Sequence, residues 1–328
     1  MLKIFEKSTI VQVFTILVVT ALLWAKALAD PQPMAPSGHF SPLYDLIFNL
    51  SIPPLVGVII AMVLVVLAGF FANLVLANAG LAPRNSLLPT LLFIVAMSAT
   101  ATTLTPSLMA ALMVIIIIDK LLLRKTSLSI MSDKIFISAA LIGIATMIYF
   151  PAITLVVAYL LIAINYQLYS WREITIFFLG LLAPYFLLWS VLLFTDGLAD
   201  SFVAMGAEFG TLSLSVGDVT TLQSFANGVL ILSFLISLFI VWSHLGEKTA
   251  TWSKNATTLM LLTATTVALM PFKQLYPVSF EFLALPFTFC LCQRFTLKPS
   301  HHNRSRSTLK DNLFDILLVI IIIAAVLC

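Results

Sequence analysis

The chain of 328 residues is 61% hydrophobic and 9% charged, with a formal net charge of +3 and a mean hydropathy of +1.11. A soluble domain carries roughly one quarter charged residues, so this composition excludes an ordinary cytosolic enzyme. The Lys and Arg residues are scattered over short segments, which excludes a nucleic-acid surface and leaves membrane lipids as the expected partner.

About ten or eleven apolar stretches, most of them near the ~18–20 residues that cross a bilayer, alternate with turns that hold the charges. Lys3 and Lys7 precede the first run, residues 10–29, and a proline-rich loop spans 30–54. Further spans are predicted over 55–76, 87–103 and 107–123, with Arg84 and then Pro106 marking the intervening turns. Pro151 splits the next run into 135–150 and 152–168, a tight helical hairpin. Trp171-Arg172-Glu173 opens a span over 174–195, and the acidic segment 196–223 follows. Spans over 225–243, 257–270 and 277–293 lead to the basic segment 294–310, and a short apolar run, 313–328, ends the sequence.

If the N-terminus is cytoplasmic and every stretch spans, all of the 17 Lys and Arg except Lys26 and Lys273 fall on the cytoplasmic side. That bias is the positive-inside rule. The sequence therefore predicts an all-α, polytopic transmembrane helix bundle of a bacterial inner membrane. It forms one integral domain over 1–328, with outer loops 30–54 and 196–224 and a basic cytoplasmic loop 294–312. Lys26 is expected to snorkel and to pair with Asp30 four residues on. Ala27-Leu28-Ala29 before Asp30 also resembles a signal-peptide cleavage site, although the length of the run and Lys26 favour a retained span.

Phosphate-cradling glycine motifs are absent, as are Asp-x-Asp, His-Glu-x-x-His and Gly-x-Ser-x-Gly. Cys290, Cys292 and Cys328 lack disulfide or zinc spacing. No cofactor and no metal are expected, and an enzyme would take a lipid-borne substrate, for instance one linked to polyprenyl phosphate, or a periplasmic one, rather than a cytoplasmic nucleotide.

Three carboxylates are catalytic candidates. Asp45 lies close in sequence to His39 and Tyr44 and could deprotonate the acceptor hydroxyl in sugar transfer from a polyprenyl-phosphate donor. In the bland reading, Pro42 starts a short interfacial helix, Ser41 caps it and Tyr44 anchors among headgroups. Asp196, with Asp200, Glu208 and Asp218, could gather around a divalent cation. However, Leu198, Phe202, Met205 and Phe209 recur at helical spacing and predict an amphipathic helix on the outer leaflet. Glu281 lies about one turn inside an apolar span and is a functional hypothesis by default, set against a structural pair with Lys26 or Lys273.

Other features read as structural. Asp119 and Asp315 have Lys120, Lys134 or Lys310 as partners, and Pro184 and Pro286 are expected to kink their spans. His301-His302, with Lys298, Arg304 and Arg306, suits an anionic-lipid contact. Two functions stay open: a lipid-dependent envelope transferase, or a non-catalytic scaffold or transporter.

Trp171-Arg-Glu173 followed by Gly180-Leu-Leu-Ala-Pro-Tyr-Phe186 resembles an uncharacterised family of polytopic inner-membrane proteins from Bacteroidota. Phe5-Glu-Lys-Ser8, Pro42-Leu-Tyr-Asp45 and Ile148-Tyr-Phe-Pro151 extend the resemblance over nearly the whole chain. Some members carry a beta-carotene monooxygenase label. That chemistry needs iron held by several histidines, and only His39, His244, His301 and His302 are present.

Overall fold

A computed structural model describes residues 9–34, 36–99, 103–122, 132–168, 170–194, 197–210, 235, 238–239, 241–243, 246, 249–269 and 281–296. Asp196, Asp218, Lys273, His244, His301, His302, Asp315 and Cys328 lie outside these residues, as do the predicted span 313–328 and most of 225–243.

The described residues are helical and contain no strand. In chain order the helices are α1 (Thr9–Ala29), α2 (Pro42–Phe48), α3 (Pro54–Asn78), α4 (Leu88–Ser98), α5 (Pro106–Leu121) and α6 (Ser132–Ile148). A 3-10 turn (Phe150–Ile153) precedes α7 (Thr154–Asn165), α8 (Trp171–Phe194), α9 (Leu198–Gly210), α10 (Ala250–Leu269) and α11 (Ala284–Thr296). Helices α1, α3 and α8 are long and apolar enough to cross a membrane.

Local chemistry sets the helix ends. Proline opens α2, α3 and α5, where its missing N–H costs no helical bond. The Thr105 hydroxyl also accepts the Leu108 N–H at 3.2 Å. At the end of α3, Leu81 N–H donates to Leu76 O at 2.8 Å and Gly80 N–H to Ala77 O at 3.1 Å. This Schellman turn needs the left-handed φ of +74° that Gly80 adopts. Helix α8 starts with a capping box: Ser170 N–H donates to Glu173 Oε2 at 3.1 Å while Glu173 N–H donates to Ser170 Oγ at 3.4 Å. The Trp171-Arg172-Glu173 motif thus has a structural role as a helix start.

Helix α4 is the centre of the assembly, packed by α1, α3 and α11, and every residue in it except Ala96 is buried. It ends at Ser98, short of the predicted 103, so its eleven residues reach only about 16 Å. Helix α6 packs between α5 and α8, and α10 contacts α7 and α11. The α6–α8 crossing is close because Gly143 and Gly180 carry no side chain. A Cβ on Gly180 would lie 2.6 Å from Phe136 O, and one on Gly143 would lie 2.6 Å from Leu181 O. Most of α8 faces away from the core, leaving Leu187, Val191 and Phe194 among its exposed apolar residues. Exposed apolar area of this kind suits contact with lipid.

Several expectations are corrected. Pro184 sits inside α8, and Pro286 follows a break in the helical path at Leu283, between helical residues 281–282 and the start of α11 at Ala284. No ion pair joins Lys26 to Asp30 or to Glu281; Asp30 instead accepts from Gln32 Nε2 at 3.2 Å. Tyr44 points inward, fully buried, and donates to Leu104 O at 3.3 Å. Ser41 precedes α2 without capping its backbone. Asp119 does pair with Lys120, at 3.6 Å.

Candidate functional site

Polar contacts concentrate at the two ends of the helices. At one end, Asn255, on α10, donates through Nδ2 to Ala79 O at 3.1 Å and accepts the Tyr166 hydroxyl at 3.1 Å. Gln12, on α1, accepts the Leu87 N–H at 2.8 Å, and Gln293, on α11, donates to Leu81 O. These amide side chains satisfy backbone groups left over at helix ends and turns, so this end reads as structural.

The opposite end brings together groups that can move protons. The loop before α2 turns at Gly38, whose φ of +65° is left-handed. His39 N–H donates to Ser37 Oγ at 3.3 Å, and the Ser37 hydroxyl donates to His39 O at 2.7 Å. These bonds hold the His39 backbone, and Glu208 of α9 holds the ring. Glu208 Oε2 lies 3.1 Å from His39 Nδ1, and its Oε1 accepts the Phe40 N–H at 2.7 Å. A carboxylate accepts, so this contact places a hydrogen on Nδ1, and in the neutral imidazole that tautomer leaves the lone pair on Nε2. The two side chains are 17% and 14% exposed, enough for solvent to reach them.

Tyr149, at the junction between α6 and the 3-10 turn, stands edge-on to the His39 ring with centroids 5.3 Å apart at 88°. Phe150 meets Phe40 in the same manner at 6.5 Å. Tyr149 also lies within electrostatic reach of both Glu208 and Glu281. Glu281 is 5% exposed, has the Ser107 hydroxyl as its hydrogen-bonding neighbour, and leaves Oε2 buried without a partner.

Of the predicted carboxylates, Asp45 lies exposed in the first turn of α2, with the Ser41 hydroxyl 3.2 Å from its Oδ1. Nothing pairs it with Glu281, and Asp196 lies outside the described residues. His39 therefore partners Glu208 rather than Asp45 and Tyr44, which leaves Asp45 outside the His–carboxylate pair. Among the described residues no group of three His, Cys, Asp or Glu could hold a metal ion.

The sequence reading places Glu208 only in a cation cluster with Asp196, Asp200 and Asp218, not beside His39, and it does not single out Tyr149 or Ser107 as site residues. By helical period Glu208 borders the face of Leu198, Phe202, Met205 and Phe209, whereas Asp200 lies opposite it. That position was the available signal, because a residue beside the docking face is the one able to reach a neighbouring loop. Tyr149 and Ser107 had only their places beside the turn prolines Pro151 and Pro106.

A carboxylate that orients an imidazole, with the second ring nitrogen free, is the core of a general base. Comparison with protein-family models, curated proteins and solved structures finds no match to this chain.

Proposed function

We propose that the protein is a multi-pass integral protein of a bacterial inner membrane, with its N-terminus in the cytoplasm and the His39 end of its helices facing outward. The loops that the charge rule assigns to the outside carry His39, Tyr149 and Glu208, and these meet at one end. The turns it assigns to the cytoplasm carry Arg84, Tyr166 and Lys254, around the Asn255 contacts at the other. The apolar lengths of α1, α3 and α8 support the same reading. Membership of the polytopic family that the chain resembles belongs to this proposal and rests on the quoted segments alone.

At the outward end we propose group transfer from a polyprenyl-phosphate-linked sugar to a hydroxyl acceptor, with His39 as the general base in place of Asp45. The observation that carries it is Glu208 fixing His39 Nδ1 at 3.1 Å. His39 Nε2 takes the acceptor proton as the acceptor oxygen bonds to the sugar carbon. The bond from that carbon to the phosphate oxygen breaks, and polyprenyl phosphate leaves with the electron pair. Glu208 stabilises the imidazolium so formed.

The test is release of polyprenyl phosphate from a polyprenyl-phosphate hexose by reconstituted protein supplied with a sugar acceptor. His39→Gln should lower the rate by about 10²-fold or more at unchanged abundance. Full activity in that variant would return the protein to the scaffold or transporter reading.

A further inference from the structure

We propose that Glu281 is a proton-binding site within the helix assembly, loaded from the end of the protein that carries His39, Glu208 and Tyr149. The inference uses the membrane reading above but does not depend on group transfer.

The ligand follows from what surrounds the carboxyl. Glu281 is 5% exposed and Oε2 has no hydrogen-bond partner. Its neighbours along the chain, Phe282, Leu283 and Leu285, are buried and apolar. Among the described residues, the Ser107 hydroxyl is its hydrogen-bonding neighbour. A hard metal cation asks for about six oxygen ligands, which one carboxyl and one hydroxyl do not supply. A proton needs only the free oxygen. It also removes the large penalty of burying a carboxylate that has no ion-pair partner among the described residues.

The neighbouring groups indicate the route. Helix α11, which the Glu281 segment leads into, packs on α4 and α10. The first contains no titratable residue, and the one in the second, Lys254, lies at the opposite end beside Asn165. Helix α5, which brings Ser107, carries Asp119 and Lys120 only at its far end, and Cys290 and Cys292 lie further along α11; among the described residues, the titratable groups near Glu281 are Tyr149 and, next to Tyr149, Glu208 and His39. The last two are partly exposed and Glu281 is not, so the four groups run from solvent to interior. In the loading step a hydronium ion at the rim gives up its proton, a water molecule is released, and the Glu281 carboxylate becomes a carboxylic acid.

Dicyclohexylcarbodiimide provides the test, because it adds to a protonated carboxyl in an apolar setting and leaves an N-acylurea of known mass. Full-length protein in vesicles would be treated while the pH on each side is set separately. The adduct on the peptide containing Glu281 is then read by mass spectrometry. A single cysteine replacing exposed Asn49, in protein lacking Cys290, Cys292 and Cys328, reports with an impermeant maleimide which compartment the His39 end faces.

The adduct should fall at least tenfold as that compartment goes from pH 5 to pH 9, should ignore the pH of the other, and should be absent in Glu281→Gln. Tyr149→Phe should slow the response to a pH step at least tenfold, whereas a merely structural tyrosine would leave it unchanged. Labelling that ignores pH on both sides, or follows the compartment opposite the cysteine, overturns the inference. A cysteine at position 49 that is reached from neither side would instead refute the membrane reading.

Discussion

Glu208 reaches across 169 positions of sequence to hold His39, with its second oxygen on the Phe40 N–H. The pair joins the loop before α2 to α9, two segments whose own contacts with the core are modest. Because each side chain is less than one fifth exposed, the bond is worth more than a surface ion pair, about 1.5–3 kcal/mol.

Replacing Glu208 with Gln tests that orientation. The amide oxygen can still accept the Phe40 N–H, but the amide nitrogen then donates to Nδ1 and moves the ring hydrogen to Nε2. Transfer activity should drop by about 10²-fold while helical content stays as in the wild type. Far-UV circular dichroism and the polyprenyl-phosphate release assay together check this.

Asp45→Asn should behave differently. Asn Oδ1 can still accept the Ser41 hydroxyl that now lies 3.2 Å from Asp45 Oδ1, so the α2 start is kept. Activity within about threefold of the wild type is expected, since one exposed charge lost near a site is worth ~0.5 kcal/mol. A loss as deep as that of His39→Gln would reinstate Asp45 as the base.

These two carboxylates show where the sequence was legible. Helices α1, α3 and α8 could be read to within a few residues, because long apolar runs end where charge begins. Helix α9 followed from the spacing of Leu198, Phe202, Met205 and Phe209. The pairing of His39 with Glu208 was not legible, since periodicity carries no information about which distant loop a helix end meets. Tyr44 shows the same gap: Pro42 announced the helix, but only the position of Leu104 decides that the phenol turns inward.

Tyr44 lies outside the proposed spans, and its phenol is raised above the ordinary tyrosine value by burial first and by the Asp45 carboxylate second. A value raised by folding means that the stabilisation is complete below the unfolded value, about pH 10, and is lost as pH climbs through the folded one. The wild type should lose stability above pH 10 more steeply than Tyr44→Phe. At pH 8 the substitution should cost about 1 kcal/mol, through the lost bond to Leu104 O. Unfolding titrations at pH 8 and pH 11 compare the two.

Helix packing gives a prediction independent of chemistry. Gly180→Ala puts a Cβ 2.6 Å from Phe136 O and 2.9 Å from Ala139 Cβ, so α6 and α8 must separate. A loss of about 1–3 kcal/mol is expected. Gly206→Ala, where nothing lies within 4 Å, should be neutral or slightly stabilising. Thermal unfolding midpoints in one detergent rank the two variants.

At the opposite end, Asn255→Ala should cost roughly 1–3 kcal/mol, because Ala79 O and the Tyr166 hydroxyl each lose a buried partner. Transfer activity per folded molecule should be unchanged, which separates the structural end from the chemical one.

The most direct measurement of the central claim is two-sided cysteine labelling in protein lacking Cys290, Cys292 and Cys328. Single cysteines replace His39 and exposed Arg84, and an impermeant maleimide is applied to intact cells with and without added polyprenyl-phosphate lipid. Position 39 should label from outside and be protected by the lipid, while position 84 should label only after permeabilisation. Labelling of both positions from the same side, or no protection of position 39 by the lipid, would contradict an outward-facing lipid site.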